Sequence, residues 1–157
     1  HLATAVTGLQ TVRGVTVRRA SPIYETAPVG GVAERRFLNA VIELQAVDDL
    51  EPLGLLDELL AIEQIAQRTR NLRWEDRTLD LDWVLWEDRV LDHPRLQVPH
   101  PRLHERRFVL QPLADLVPDA PHPQQDRTVA ALLAALDDDP DDVTPIADHR
   151  YPAIWPR

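Results

Sequence analysis

Arg73-Trp74-Glu75-Asp76-Arg77-Thr78-Leu79-Asp80-Leu81-Asp82-Trp83-Val84-Leu85-Trp86 alternates from Thr78 onward, and that alternation decides the fold. A period of two puts Leu79, Leu81, Trp83 and Leu85 on one face of a β-strand and Asp80, Asp82, Val84 and Trp86 on the other. At a rise of ~3.3 Å per residue the two aspartates project side by side, their Cα atoms about 6–7 Å apart. Arg68, Arg70, Arg73 and Arg77 lie just upstream. Paired carboxylates facing guanidinium groups suit an anionic, metal-bound substrate, a polyphosphate with Mg²⁺. Taken alone, an Asp-x-Asp also fits a solvated strand face, and the arginines a solvated basic patch.

The rest of the chain narrows the classes. Its 157 residues fit one domain with a proper core, 1–157, ending in an acidic and then Pro-rich tail over 137–157. A hydrophobic share of 44% and a charged share of 27% are those of a globular protein. The net charge of −9 argues against a general binder of nucleic acid or anionic membrane. With no Cys there is no disulfide framework or thiol chemistry, which is compatible with a cytoplasmic protein. No window approaches the ~18 apolar residues of a membrane-spanning helix. Nothing in the sequence demands more than a monomer.

Along the chain, Leu2, Val6 and Leu9 recur at helical spacing without a preceding cap, so the natural N-terminus is expected to lie upstream of His1. This first helix should end near 12–14. Residues 15–24 read as a strand bent at Pro22, and 37–44 as its hairpin partner. The partner's Leu38, Ala40, Ile42 and Leu44 should face the helices. Asp48, Asp49, Glu51 and Pro52 mark a helix start, with a run to about Gln67 burying Leu55, Leu56, Leu59, Ile62 and Ala66. After the Asp80/Asp82 strand, 94–104 is Pro/His-rich and irregular, and 106–116 holds a short apolar run. A third helix is predicted over 126–136, burying Val129, Leu132, Leu133 and Leu136, before a tail that wraps the surface. The expected class is α+β. One further strand before the first helix would complete the βαββαβ order of a ferredoxin-like sandwich, an antiparallel sheet with its helices on one face.

Several blocks carry a resemblance in register: Ser21-Pro22-Ile23-Tyr24-Glu25-Thr26-Ala27-Pro28-Val29-Gly30, Phe37-Leu38-Asn39-Ala40-Val41, the Arg73–Asp82 signature Arg-Trp-x-x-Arg-Thr-Leu-Asp-Leu-Asp, Val98-Pro99-His100-Pro101, and Arg106-Arg107-Phe108-Val109-Leu110-Gln111-Pro112-Leu113. Together they resemble the 6-hydroxymethyl-7,8-dihydropterin pyrophosphokinases of folate biosynthesis. That resemblance implies transfer of pyrophosphate from ATP to the pterin's hydroxymethyl oxygen on a ferredoxin-like fold with two Mg²⁺. It further implies Asp80 and Asp82 as metal ligands, and Arg68 and Arg70 as loop arginines that close on the triphosphate. Glu63, Trp74, Arg77, Arg95, His100 and Arg106 are implied around ATP, and Thr26, Ala27, Val29, Phe37, Asn39, Trp74 and Phe108 around the pterin. A flat heterocycle stacks on aromatic rings, and Asn39 offers a donor and an acceptor to its amide edge.

The departures from the pattern carry expectations too. The family's first strand and its Gly-Ser-Asn loop are missing from this sequence. Glu75-Asp76 stands where the family usually has Gly-Pro, which should weaken ATP binding or demand more metal. Gln67 replaces a loop glycine, and Gln97 a common threonine. Two rivals to an active pyrophosphokinase follow. One is a non-catalytic pterin- or nucleotide-binding relative. The other is a two-metal nuclease on a similar sheet, which the acidic surface disfavours.

Overall fold

In the computed structural model, residues 1–26, 36–68, 79–137, 143–147 and 151–156 are described, 67 and 68 by backbone alone. Two helices start the core. Leu2–Leu9 (α1) buries Ala5, Val6 and Leu9, and Pro52–Arg68 (α2) buries Leu55, Leu59, Ile62 and Ala66, steps of three and four that keep one stripe inward. They cross closely at Gly8, where an added Cβ would sit 2.7 Å from Ile62 Cγ1. Leu56, expected inside with this stripe, is only half-buried. The expected acidic cap is also narrower than the sequence implied. Asp48 and Asp49 form the turn, and Glu51 alone closes the helix start, accepting a hydrogen bond from Gly54 N–H at 3.0 Å.

Both long strands are broken. Val15–Ala20 (β1) is followed by Tyr24–Thr26 (β2), and Phe37–Asn39 (β3) by Ile42–Ala46 (β4). Pro22 has no N–H for a ladder, and the gap it leaves is bridged by Ser21, which exchanges hydrogen bonds with Val41 at 2.9 and 3.0 Å. The hairpin therefore forms two antiparallel pairs, β1 with β4 and β2 with β3. The break also splits the face expected to be uniformly apolar. Ile42 and Leu44 pack on the α1/α2 core, Ala40 joins a separate cluster, and Leu38 is 45% exposed.

Residues 79–86 run without regular secondary structure and make no ladder among the described residues, so the expected strand is not observed as one. Its alternation holds over the first half. Leu79, Leu81 and Trp83 pack on the α1/α2 core while Asp80 and Asp82 are exposed. It then fails: Leu85 joins Val84 and Val41 on a second core, and the Trp83 and Trp86 rings, expected on opposite faces, meet at 4.8 Å.

The segment expected to be irregular contains a hairpin, Leu91–His93 (β5) with Leu96–Val98 (β6), and a 3₁₀ turn at Leu103–Glu105. The short apolar run is a helix, Arg107–Leu116 (α3), which keeps Pro112 among its buried residues. The hairpin Pro121–His122 (β7) with Arg127–Thr128 (β8) then leads into Val129–Ala134 (α4), shorter than the predicted helix. Thr128 caps it by accepting from Ala131 N–H at 3.2 Å. Helices α3 and α4 share the second core with Leu103, Leu110, Leu113, Val129 and Leu132; Leu133 and Leu136, expected buried, pack at its half-buried edge. The tail does more than wrap the surface. Val143–Pro145 (β9) pairs with β2 to give a three-stranded sheet in the order β3-β2-β9, and Ile146 and Trp155 are buried with Val6 and Ile23. The architecture is mixed α+β with antiparallel sheets.

Candidate active site

The exposed carboxylates of Asp80 and Asp82 stand on a backbone with no ladder among the described residues, where individual contacts place it. Glu63, on α2, accepts a hydrogen bond from Leu81 N–H at 2.6 Å, at the residue between the two aspartates. The carbonyl of Val84 accepts from His100 N–H at 2.9 Å. The segment is thus pinned on both sides of Asp82, once by a helix and once by the chain that follows β6.

His100 is set by its neighbours. Its Nδ1 accepts from Arg102 N–H at 3.1 Å, which assigns the ring hydrogen to Nε2. Burial pushes the imidazole pKa below its usual value; the nearby Asp82 carboxylate opposes this, and the Arg106 and Arg102 guanidiniums add to it. His100 is therefore neutral at neutral pH and presents Nε2–H as a donor. These interactions also place Asp82, His100 and Arg106 in one neighbourhood. Arg106 precedes α3 and lies over the Phe108 ring, 5.7 Å from its centroid.

The opposite end of α3 leads to a second group. Asp115 accepts from the Tyr24 hydroxyl at 2.6 Å, so α3 is tied to β2, and it packs along β2, β3 and β9. Burial, followed by Asp115, raises the Tyr24 pKa and keeps the phenol protonated. At the end of β2, Thr26 is buried, and its Oγ1 accepts from Asn39 Nδ2 at 2.7 Å. Asn39 Oδ1 and the second amide hydrogen remain for other partners. Phe37 pairs with Thr26 in the ladder and is 44% exposed, an aromatic face open to solvent.

Among the sequence-predicted residues, Asp82, His100 and Arg106 come together, as do Thr26, Asn39 and Phe37, with Phe108 on the helix between the groups. Arg95 stands apart. It lies in the β5–β6 turn and forms an ion pair with Asp57 of α2. Arg68 ends α2, its side chain outside the description. Ala27, Val29, Arg70, Trp74, Arg77 and the Glu75-Asp76 step lie outside the described residues. Sequence reasoning missed the roles of Asp57, Asp115 and the Val84 carbonyl. The first two are ordinary helix acids whose partners lie 38 and 91 residues away, and a backbone carbonyl carries no sequence signal.

Asp80 and Asp82 also fit the divalent cation that the resemblance implies. Mg²⁺ takes hard oxygen donors and is commonly held by one or two carboxylates together with substrate phosphates. Among the described residues no cluster of three or more His, Cys, Asp or Glu could hold a metal unaided.

Residues 1–118 match the family model described as 7,8-dihydro-6-hydroxymethylpterin-pyrophosphokinase. Three curated relatives, each named 2-amino-4-hydroxy-6-hydroxymethyldihydropteridine pyrophosphokinase, align with the chain. The Pseudomonas aeruginosa protein is 50% identical over 115 residues, which is 73% of this chain and 69% of that protein. The Bacillus subtilis protein is 43% identical over 116 residues, 74% of this chain and 68% of its own. The Synechocystis protein is 38% identical over 137 residues, 87% of this chain and 69% of its own. With a family match across most of its length and half of 115 aligned residues identical in one relative, the chain belongs to the 7,8-dihydro-6-hydroxymethylpterin-pyrophosphokinase family.

Proposed function

We infer that the chain transfers pyrophosphate from ATP to 6-hydroxymethyl-7,8-dihydropterin, releasing AMP and the pterin diphosphate, as a step of folate biosynthesis. Membership of the family makes it a diphosphokinase. The observation that carries the site reading is the exposed Asp80/Asp82 pair, braced by Glu63 at Leu81, with Asp82 beside His100 and Arg106.

In such a transfer the pterin hydroxyl oxygen attacks the β-phosphorus of ATP. The bond from that phosphorus to the oxygen bridging it to the α-phosphate breaks, AMP leaves with that oxygen, and the hydroxyl proton passes to solvent. Alignment and charge neutralisation are most of the task. Asp80 and Asp82 would hold Mg²⁺, two ions by analogy with the family, which would neutralise phosphate charge. Glu63 fixes the spacing of the aspartates through Leu81 N–H. His100 donates Nε2–H to a phosphate oxygen, a tautomer set by the bond its Nδ1 accepts from Arg102 N–H. Arg106 supplies positive charge beside it, and Arg68, Arg70, Arg77 and Arg95 extend that charge along the triphosphate. Glu63 and Trp74 complete the nucleotide side. Thr26, Ala27, Val29, Phe37, Asn39, Trp74 and Phe108 form the pterin side, where Asn39 reads the amide edge and Phe37 and Phe108 meet the ring.

For the architecture we propose a single domain of the ferredoxin-like type, with residues 79–86 as a sheet strand once an additional strand, not among residues 1–157, pairs with them. The alternation of inward Leu79, Leu81 and Trp83 with exposed Asp80 and Asp82 supports that. A monomer acting in the cytoplasm on these two small molecules completes the reading. Incubation with ATP, Mg²⁺ and 6-hydroxymethyl-7,8-dihydropterin should release AMP and pterin diphosphate in equal amounts. Binding of both ligands without AMP release would overturn catalysis.

A further inference from the structure

The family match ends at residue 118, yet residues beyond 140 hold the strand that ends in Thr26. Strand β9 pairs with β2 along its whole length, Tyr24 opposite Pro145, Glu25 opposite Thr144 and Thr26 opposite Val143. Ile146 N–H continues the pairing to the Ile23 carbonyl at 2.9 Å. Farther on, the Tyr151 hydroxyl accepts from Ile23 N–H at 3.1 Å, and Trp155 Nε1–H donates to the Ser21 carbonyl at 3.0 Å. The Trp155 ring is 7% exposed and packs with Ile23, Ile146 and Val6. These bonds satisfy backbone groups that Pro22 and the strand break leave without a β1–β4 ladder, and they converge on residues 21–26.

We propose that residues 143–147 and 151–156 act as a strap that positions Thr26, and through it Asn39, for the pterin, with Trp155 and Tyr151 as positioning residues for that subsite and not for the nucleotide. This rests on the reading that the β2–β3 end is the pterin wall. The strap acts at short range. Each bond fixes the path of 21–26, Thr26 is the last residue of that path, and the Thr26 Oγ1 bond orients the Asn39 amide. The nucleotide group is held by different contacts, from Glu63 and His100.

The test compares Trp155→Phe and Tyr151→Phe, which keep an aromatic ring and remove one polar bond each, with Asn39→Ala in the full chain. Binding of 6-hydroxymethyl-7,8-dihydropterin is measured in the presence of α,β-methylene-ATP and Mg²⁺, and binding of that analogue separately. Loss of one internal hydrogen bond should raise the pterin Kd roughly threefold to tenfold in each Phe variant. The analogue Kd should stay within about twofold, and kcat at saturating pterin should be unchanged. An equal rise in both Kd values would make the strap a general brace and overturn the proposal, as would no change in either. If Asn39→Ala binds pterin normally, the pocket reading falls and the strap's role falls with it. If Asn39→Ala loses pterin while both Phe variants bind it normally, the strap proposal alone is wrong.

Discussion

Residues 79–86 and β2 are both short segments bearing proposed site residues, and they are held in opposite ways. Strand β2 has a ladder on each side, to β3 and to β9, so the backbone around Thr26 is fixed by repeated hydrogen bonds. Residues 79–86 have no ladder among the described residues and are pinned by individual bonds from Glu63 and His100 N–H. The difference suits the two ligands. A rigid heterocycle is read by donors and acceptors that must not move, whereas phosphates change position as a bond forms and another breaks, so their ligands stand on backbone that a few contacts set. The β2 end should then tolerate little local change, and the 79–86 end should depend on its few pins.

The harshest test of that contrast is to remove a carboxylate. Asp82→Ala or Asp80→Ala should lower kcat by on the order of 10³ or more, because metal-assisted charge stabilisation is worth several kcal/mol and each ~1.4 kcal/mol is tenfold. Pterin binding should persist, measured by fluorescence quenching. Near-normal turnover in either variant would remove the pair from the site.

A smaller effect separates position from charge at the pin. Glu63→Ala leaves Leu81 N–H without its acceptor, while Glu63→Gln can still accept through its amide oxygen. Loss of a bond to a charged acceptor should cost kcat/KM for ATP roughly tenfold in the Ala variant, with most of it recovered by Gln. Equal loss in both would show that the Glu63 charge, not its grip on Leu81, matters.

Acid probes the fold through two histidines. Burial lowers the pKa of His100 and of His122, whose Nδ1 accepts from Gln124 N–H at 3.2 Å. The unfolded chain therefore takes up protons first as pH falls. The stability that the neutral rings contribute is full above about pH 6.5 and is lost as pH drops through the lowered folded values. Thermal unfolding should show Tm falling from pH 7 to pH 5, with a shallower slope in His122→Asn. An unchanged slope would assign the effect elsewhere.

How much of this was legible in the sequence depends on range. The helical stripe Leu55, Leu59, Ile62 and Ala66 and the exposed aspartates at 80 and 82 follow from period alone, and both were readable. Helix α3 was missed because Pro112 and two leading arginines hide its register, and tertiary burial of Leu110 and Leu113 outweighs the proline's cost. Strand β9 was missed because three residues after an acidic run carry no period, and only the β2 edge makes them a strand. The meeting of Trp83 with Trp86 has a similar cause, since alternation presumes a ladder that residues 79–86 lack among the described residues. In the site, residue types pointed to chemistry, but partners such as Asp57 for Arg95 are set by folding alone.

That pair gives the finest test. Arg95 belongs, by resemblance, to the nucleotide side, yet its guanidinium is held by Asp57, and both side chains are about half exposed. An exposed ion pair contributes ~0–1 kcal/mol, so Asp57→Ala should barely move Tm. Its effect on ATP should be visible nonetheless, because Asp57 and the triphosphate compete for the same cation. Freed from its partner, Arg95 should lower the ATP KM about two- to threefold, an amount within that same ~1 kcal/mol, with kcat and pterin KM unchanged. The gain should shrink in high salt, which screens an exposed cation's attraction to phosphate. A rise in ATP KM instead would mean that Asp57 holds Arg95 in the orientation the nucleotide needs. The nucleotide side would then be preorganised like the β2 end, and the contrast between the two segments would narrow to their ladders alone.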